Sequence, residues 1–174
     1  MISKPQSNEY NPHYKGYIGL VPDGDLPYIL KKQSEETVEL FKSFSKDKSE
    51  YRYAEGKWSM KEVLGHVVDT ERIMSYRLLA IARGEKSSLP SFDENAYNES
   101  ANFNRLNLDQ LITDYLNVRQ ATISLLSILS KESFENVGNV FDFPTTGRAI
   151  AYIIAGHELH HLKIINERYL QGQE

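Results

Sequence analysis

Apolar side chains recur every three or four positions in four long segments of the chain, with polar side chains between them. This spacing places the apolar residues on one face of an α-helix. The segments run from about Asp25 to Ser45, Ser59 to Arg83, Asn107 to Ser130, and Thr146 to Gln171, with Gly172 as a stop. The alternation typical of β-strands is nearly absent. The pattern therefore predicts an all-α protein built as a four-helix bundle.

Two of the predicted helix starts carry local markers. Ser59 is followed three positions later by Glu62, which is the spacing of a capping box. Asn107 and Gln110 repeat this spacing at the start of the third segment. In such a box each side chain binds a backbone N–H at the helix terminus. We therefore expect the second and third helices to begin at these positions.

An arm and two connections complete the chain. Residues 1–22 are polar but contain tyrosines and aliphatic residues, so we expect an extended arm that packs on the bundle of residues 23–174. Residues 84–106 form a polar connection that is long for a helical bundle, and we expect a short helix around 93–99 within it. The second connection contains Phe-Asp-Phe-Pro at 141–144.

Length and composition limit the possible functions. Residues 1–174 have the length of a single domain and an ordinary globular balance of 40% hydrophobic and 25% charged residues. The net charge is −4, and the longest local cluster of basic residues is Lys31-Lys32, which is too small for a basic face. No nucleic-acid partner is therefore expected. The chain has no cysteine, which excludes disulfides, thiolate ligands and a cysteine nucleophile.

The hydropathy of the chain bears on its compartment. The first residues are polar and lack the apolar core of a signal peptide. No run approaches the roughly 18 apolar residues of a membrane span. We therefore expect a cytoplasmic protein without a membrane partner.

The chemistry-bearing residues concentrate near the end of the chain. His157 and His161 continue a stripe of isoleucines on one face of the fourth helix. Two such imidazoles can bind one ion, and a metal site in a bundle core also draws ligands from a facing helix. His66, on an apolar face of the second helix, is the candidate, and Gly65 beside it would permit a close backbone approach. Three imidazoles leave one coordination position open, as in catalytic zinc sites, although imidazole also suits nickel and iron.

Two other interpretations of these histidines stay open. The side chains could be hydrogen-bonded polar groups of the core. Residues 157–161 also match H-E-x-x-H, in which Glu158 would be the general base of a zinc protease. A zinc protease of this kind would need a third ligand downstream, and only Glu167 and Glu174 remain after His161. The chain also shows no strand to hold a peptide, and Glu158 should point away from the histidine pair. His160 lies about 100° around the helix from His161, so we expect it to flank the site or face solvent.

Several polar residues are candidates for orienting an imidazole or contacting a substrate. They are Asp69 and Thr70 on the second helix, Glu158, His160 and Arg168 on the last helix, and Arg148 at its start. Asp69 and Thr70 lie one turn after His66, where either could hydrogen-bond its ring. The arginines could pair with an anionic substrate, and Asp93 and Glu94 could reach the mouth of a site from the long connection. Each of these residues could equally be a polar side chain that faces solvent and has no role in a site.

The order and spacing of these motifs resemble the DinB-like superfamily of metal-binding four-helix bundles, particularly the branch with bacillithiol S-transferases and metal-dependent hydrolases. The resemblance covers most of the chain, including the arm that leads into the first helix. Its segments are LVPDGDLPYIL at 20–30, KWSMKEVLGHVVDTE at 57–71, LPSFDENAY at 89–97 and GHELHHLKIINERY at 156–169.

The resemblance implies a metal triad of one histidine on the second helix and an H-x-x-x-H pair on the last, which fall on His66, His157 and His161. It further implies a divalent metal, most often zinc, that activates a low-molecular-weight, bacillithiol-like thiol for transfer to an electrophilic small molecule. The thiol would be an external co-substrate, since the chain has no cysteine. The alternatives are a metal-dependent hydrolase of a small molecule and a non-catalytic metal-binding bundle of a stress response. Homodimers are common in the family, so a homodimer is expected.

Overall fold

The computed structural model describes residues 2–170, which form α-helices and a small β-sheet. The helices are α1 (Lys15–Leu20), α2 (Leu26–Lys42), α3 (Lys46–Glu50), α4 (Met60–Ala82), α5 (Glu94–Ala101), α6 (Leu108–Ile128), α7 (Lys131–Glu135) and α8 (Gly147–Ile164). The strands are β1 (Ser88–Leu89), β2 (Val137–Val140) and β3 (Phe143–Thr146). Short 3-10 turns lie at Pro12–Tyr14 and Phe103–Arg105, and a π-helical turn at Ile165–Leu170 extends α8.

The four long helices α2, α4, α6 and α8 form the predicted four-helix bundle. Helix α4 packs against both α6 and α8, and α2 packs mainly on α6. The predicted capping box of α4 is confirmed, because the Ser59 N–H donates to Glu62 Oε2 at 2.7 Å and the Glu62 N–H donates to Ser59 Oγ at 3.2 Å. Asn107 and Gln110 form the same reciprocal pair at α6.

The arm differs from the extended segment expected, because it contains a 3-10 turn and then α1. Tyr14 and Ile18 lie four positions apart and are both buried, so a helical turn brings both onto the face that packs on the bundle. Helix α1 packs directly on α8. At the crossing, a Cβ on Gly156 would lie 2.1 Å from the carbonyl oxygen of Tyr17, so only glycine permits this approach.

The helical bundle also carries a small β-sheet, which the sequence did not indicate. Strand β2 pairs in parallel with β1 and antiparallel with β3. These strands have two to four residues, too few to establish an alternating pattern. The turn between β2 and β3 consists of Phe141 and Asp142, both at positive φ (53° and 59°). The short helix expected around 93–99 is present as α5, with the Asp93 carboxylate accepting hydrogen bonds at its start.

The core consists of two apolar clusters. One joins the first half of α8 to the arm, the start of α2 and the β-sheet, and the other joins the first halves of α4 and α6 to Ile165 and Tyr169 after α8. His157 and His161 occupy the stretch of α8 between the two clusters. The end expected at Gln171 and the stop at Gly172 lie outside the described residues. No helix within residues 2–170 is long and apolar enough to cross a membrane.

Candidate metal centre

Three histidine side chains converge where α4 faces α8. The Nε2 atom of His157 lies 3.0 Å from Nε2 of His66 and 3.1 Å from Nε2 of His161. One ligand atom from each residue falls within 4.8 Å of the others, and within residues 2–170 this is the only cluster of three or more such ligands. His66 and His157 are buried, and His161 is partly buried. The helical period of α8 and the packing of α4 thus bring together the three residues chosen from the sequence.

Burial keeps the clustered imidazoles neutral. It lowers the pKa of His66 to about 4 and that of His161 to about 3, with smaller contributions from neighbouring histidines. The pKa of His157 is also held well below 6.5, first by burial and then by the charges that His161 and His66 would carry. At neutral pH each ring therefore has an unprotonated nitrogen, which is the form that binds divalent metals.

Aromatic rings enclose the cluster on two sides. The indole of Trp58 lies 4.7 Å from the His66 ring, measured between centroids. Tyr17 of α1 contacts His157 edge to face at 5.6 Å and lies 4.9 Å from His160. His160 thus packs against the arm and flanks the cluster. The arm was expected to pack on the bundle, but no pattern in the sequence indicated which histidine its tyrosines would contact.

The other candidates on α4 have separate surroundings. Thr70 Oγ1 lies 3.5 Å from Nδ1 of His66, a long contact on the ring nitrogen that faces away from the cluster. Asp69 is half-buried and lies 3.7 Å from the guanidinium of Arg72. Burial raises the pKa of the Asp69 carboxyl, and Arg72 opposes the rise. Thr70, and not Asp69, is the neighbour that contacts His66.

Glu158 is buried in the bundle core, where its carboxylate has its own hydrogen-bond partners. Its carboxylate accepts hydrogen bonds from Thr37 Oγ1 at 2.7 Å, from the Tyr115 hydroxyl at 2.5 Å and from Arg119 Nη2 at 2.5 Å. Arg119 also pairs with Glu71 at 2.7 Å. With these partners the glutamate is 1% exposed and has no free path to a substrate. This placement does not suit the general base of a zinc protease.

The two candidate arginines lie in different surroundings. Arg148 donates to both carboxylate oxygens of Glu9, at 2.6 and 2.5 Å, and so ties the arm to the start of α8. Arg168 is exposed on the π-helical turn after α8. Neither residue borders the cavity beside the histidines.

A cavity of about 280 Å³ opens beside the histidine cluster. Its walls come from the arm, α4, α8, the β2–β3 turn, and the start of α5 with the segment before it. The lining residues are Asn11, His13, Tyr14, Tyr17, Thr70, Met74, Ser91, Phe92, Glu94, Phe141 and His157. Glu94 Oε2 lies 4.0 Å from His66 Nε2, so one carboxylate of the long connection does reach the cluster. We will call this space the aromatic cavity.

Comparison with known proteins assigns the family. Residues 29–165 match the sequence model of the DinB superfamily. The chain belongs to the DinB superfamily. This confirms the resemblance seen in the sequence, although no curated protein is significantly similar in sequence.

Solved structures agree with the DinB superfamily assignment. YfiT from Bacillus subtilis, described as a probable metal-dependent hydrolase with an unusual four-helix bundle topology, superposes with a TM-score of 0.70 at 17% identity, over 95% of this chain and 90% of its own. The DinB-like YjoA from Bacillus subtilis gives 0.62 at 19% identity, over 87% of this chain and 93% of its own. A mycothiol-dependent maleylpyruvate isomerase gives 0.66 at 11% identity, over 83% of this chain but 61% of its own. At these identities the likeness shows the shared fold.

Proposed function

We propose that the protein is a divalent-metal enzyme in which His66, His157 and His161 hold the ion. The convergence of three neutral imidazoles on one point, at the edge of a cavity, carries the proposal. The residues fit such an ion because Thr70 can accept a hydrogen bond from His66 Nδ1 and so leave Nε2 free as the ligand. Three nitrogen ligands suit zinc, and also nickel or iron.

The reaction we propose is transfer of a low-molecular-weight thiol to an electrophilic small molecule. When bound, a divalent ion lowers the pKa of a thiol or water and polarises an electrophile. The thiol must come from outside, since the chain has no cysteine. A fold neighbour described as mycothiol-dependent supports a thiol co-substrate in this superfamily. The aromatic rings of Tyr14, Tyr17 and Phe92 would hold the apolar part of the electrophile and exclude water from it.

Hydrolysis of a small molecule is the second candidate, and Glu94 favours it. Its carboxylate borders the aromatic cavity and lies 4.0 Å from His66 Nε2, where it could accept a proton from an attacking water. YfiT, described as a probable metal-dependent hydrolase, supports this candidate. A non-catalytic bundle would need a closed site with four protein ligands. Within residues 2–170 the cluster provides three.

We also propose that the protein acts as a homodimer. Exposed apolar side chains on the long helices support this, namely Tyr28 on α2, Tyr76 and Leu79 on α4, and Leu116 on α6.

Elemental analysis of gently purified protein tests the metal site. We expect about one divalent ion per chain, lost in His66→Ala and in His157→Ala. His13→Ala is the matched control, because His13 is exposed and borders the cavity without joining the cluster. Absence of metal from the wild-type protein after reconstitution, with all variants folded, would refute the enzyme.

A pair of activity assays then separates the two reactions. Loss of monochlorobimane that requires both metal and added thiol would establish transfer. Metal-dependent cleavage of an ester or amide without thiol would establish hydrolysis instead.

A further inference from the structure

Arg77, on α4, is a buried cation without a carboxylate partner among residues 2–170. Its side chain is among the largest that are fully buried, at 1% exposure. Its Nη2 donates to the carbonyl oxygen of Pro90 at 2.6 Å, and its Nη1 approaches Met74 Sδ at 3.4 Å. Its other hydrogen-bond partner in this part of the chain is the Tyr14 hydroxyl, so none of its acceptors carries a full negative charge.

Arg119 shows how the same fold treats a buried arginine that serves stability alone. It is equally buried, at 1% exposure, and two carboxylates, those of Glu71 and Glu158, lie within 2.7 Å of its Nη2. A buried charge without an opposite charge destabilises a protein, because the lost hydration is not replaced. Arg77 lacks the compensation that Arg119 has, which indicates that its anion comes from outside the chain.

Arg77 lies behind the wall of the aromatic cavity, against side chains that border the cavity, and does not border it itself. Its Cζ lies 4.6 Å from the centroid of the Phe141 ring and 6.0 Å from that of Phe92. Both rings border the cavity, as do Met74 and Tyr14. Burial raises the pKa of the Tyr14 hydroxyl, and the charge and hydrogen bonding of Arg77 oppose the rise. Tyr14 thus both contacts the guanidinium and borders the cavity, where its hydroxyl can donate its own proton to an anion.

The β2–β3 turn holds Phe141 over the guanidinium in a strained backbone conformation. Phe141 and Asp142 both occupy the left-handed region, at φ 53° and 59°. Two-residue turns of this type favour asparagine and glycine, and a bulky aromatic residue there is unfavourable. A strained turn that places an aromatic ring between a buried cation and a cavity is typical of a ligand-binding position.

The charges around the cavity favour one orientation of a ligand. The Glu94 side chain is 57% exposed and faces His66, whereas Arg77 is enclosed further along α4. The positions of His66 and Arg77 are eleven residues apart, which is about 16 Å of helix rise. A ligand with an anionic group would therefore place that group near Arg77 and its reacting end near the histidines, because Glu94 repels anions there.

We propose that Arg77 and Tyr14 form a recognition site for a carboxylate carried by the substrate or co-substrate. This inference rests on the proposed function, because it takes the aromatic cavity as the substrate site. The guanidinium supplies the charge, the Tyr14 hydroxyl donates a hydrogen bond to the carboxylate, and Phe92 and Phe141 contact the adjoining apolar part of the ligand. The enzyme therefore selects small carboxylic acids over neutral molecules of the same shape.

Binding of benzoate and benzamide to the metal-free, full-length protein tests this directly, since no ion is present to attract the anion. NMR titration of the tyrosine rings gives both dissociation constants. We expect benzoate to bind about tenfold more tightly, because a charged hydrogen bond replaces a neutral one. Equal binding of the two would overturn the inference without any variant. Tighter binding of phenylphosphate than of benzoate would overturn the assignment to carboxylates.

Two variants locate the effect. Arg77→Gln should abolish the preference for benzoate, and Arg72→Gln should retain it, because Arg72→Gln removes the same charge from an exposed position paired with Asp114. If Arg77→Gln does not fold, Tyr14→Phe keeps the cation and should reduce the preference severalfold. Retention of the full preference in Arg77→Gln, or in Tyr14→Phe where Arg77→Gln does not fold, would overturn the inference.

The metal content of the same preparations, measured before the metal is removed for the binding experiment, keeps the two proposals apart. A zinc-binding protein without a benzoate preference retains the proposed function and loses this inference. A protein that prefers benzoate but binds no metal retains this inference and loses the proposed function.

Discussion

Two buried polar clusters meet on α8 at adjacent residues, and they differ in how completely their groups are satisfied. The histidine cluster begins at His157 and consists of neutral rings whose nitrogens face one another at the edge of a cavity. The ionic cluster includes Glu158, Arg119 and Glu71, and its charges are paired and hydrogen-bonded away from any substrate path. Burial alone therefore does not mark a functional site. What distinguishes the histidines is that one nitrogen from each of three rings converges on one point beside a cavity.

The largest effect is expected from breaking the ionic cluster. Arg119→Leu leaves two buried carboxylates without their cation and should lower the free energy of unfolding by about 3–5 kcal/mol, as measured by urea denaturation. Arg72→Leu is the control, since an exposed pair of this kind is worth about 0–1 kcal/mol. A similar small loss for both variants would show that the ionic cluster adds little stability.

The next effect is a pH dependence that comes from the histidine cluster. The pKa of His66 is about 4 in the folded protein and 6.5 for an imidazole in water, so the unfolded chain binds more protons between these values. In the metal-free protein, the stability that the neutral His66 ring contributes should therefore be fully present above pH 6.5. It should be lost progressively as the pH falls towards 4. His66 alone accounts for a loss on the order of 3 kcal/mol.

Urea titrations of the metal-free protein at a series of pH values check this loss. His66→Gln should make the curve shallower in this window without flattening it, because His157 and His161 also have lowered pKa values. A flat curve for the wild-type protein would contradict the neutral cluster.

Metal-linked stabilisation should be somewhat smaller. At a free zinc concentration 100 times its dissociation constant, binding should stabilise the folded protein by about 2.7 kcal/mol. His157→Ala should abolish this gain, whereas His160→Ala should preserve it, because His160 packs on Tyr17 outside the cluster. Thermal unfolding with and without zinc measures the gain. Loss of the gain in both variants would place His160 among the ligands.

The smallest effect concerns the orientation of a single ring. Thr70→Val removes the oxygen that lies 3.5 Å from His66 Nδ1 and should weaken metal affinity by about tenfold. Thr122→Val is the matched control, since Thr122 is also buried but binds the Val118 carbonyl within its own helix. Competition with a fluorescent chelator gives both affinities. An unchanged affinity in Thr70→Val would mean that packing alone orients His66.

The bundle and the histidine cluster could be predicted because their information is local or periodic. Ser59 and Glu62 announce the start of α4 within one turn, and His157 and His161 share a face through the helical period alone. His66 could be added to the pair because it lies among apolar residues on the second predicted helix, which indicated that it faces the core. The family assignment then added an independent match over residues 29–165.

The remaining features depend on contacts between distant segments. Arg119 meets Glu71 and Glu158 across 48 and 39 positions, and no spacing in the sequence encodes that meeting. The β-strands are too short to show a period. We expected Gly65 to permit a backbone approach, yet the group that packs there is the ring of Phe103, and the backbone approach occurs at Gly156.

Gly156 has a consequence for how the protein can evolve. Its bare backbone lets the arm lie against α8, so Tyr14 and Tyr17 become walls of a cavity whose histidines belong to the bundle. The arm residues proposed to set specificity and the histidines proposed to bind the ion are thus encoded in separate stretches of the gene. Mutations in the arm can reshape what the cavity accepts while leaving all three histidines unchanged, provided that residue 156 remains glycine.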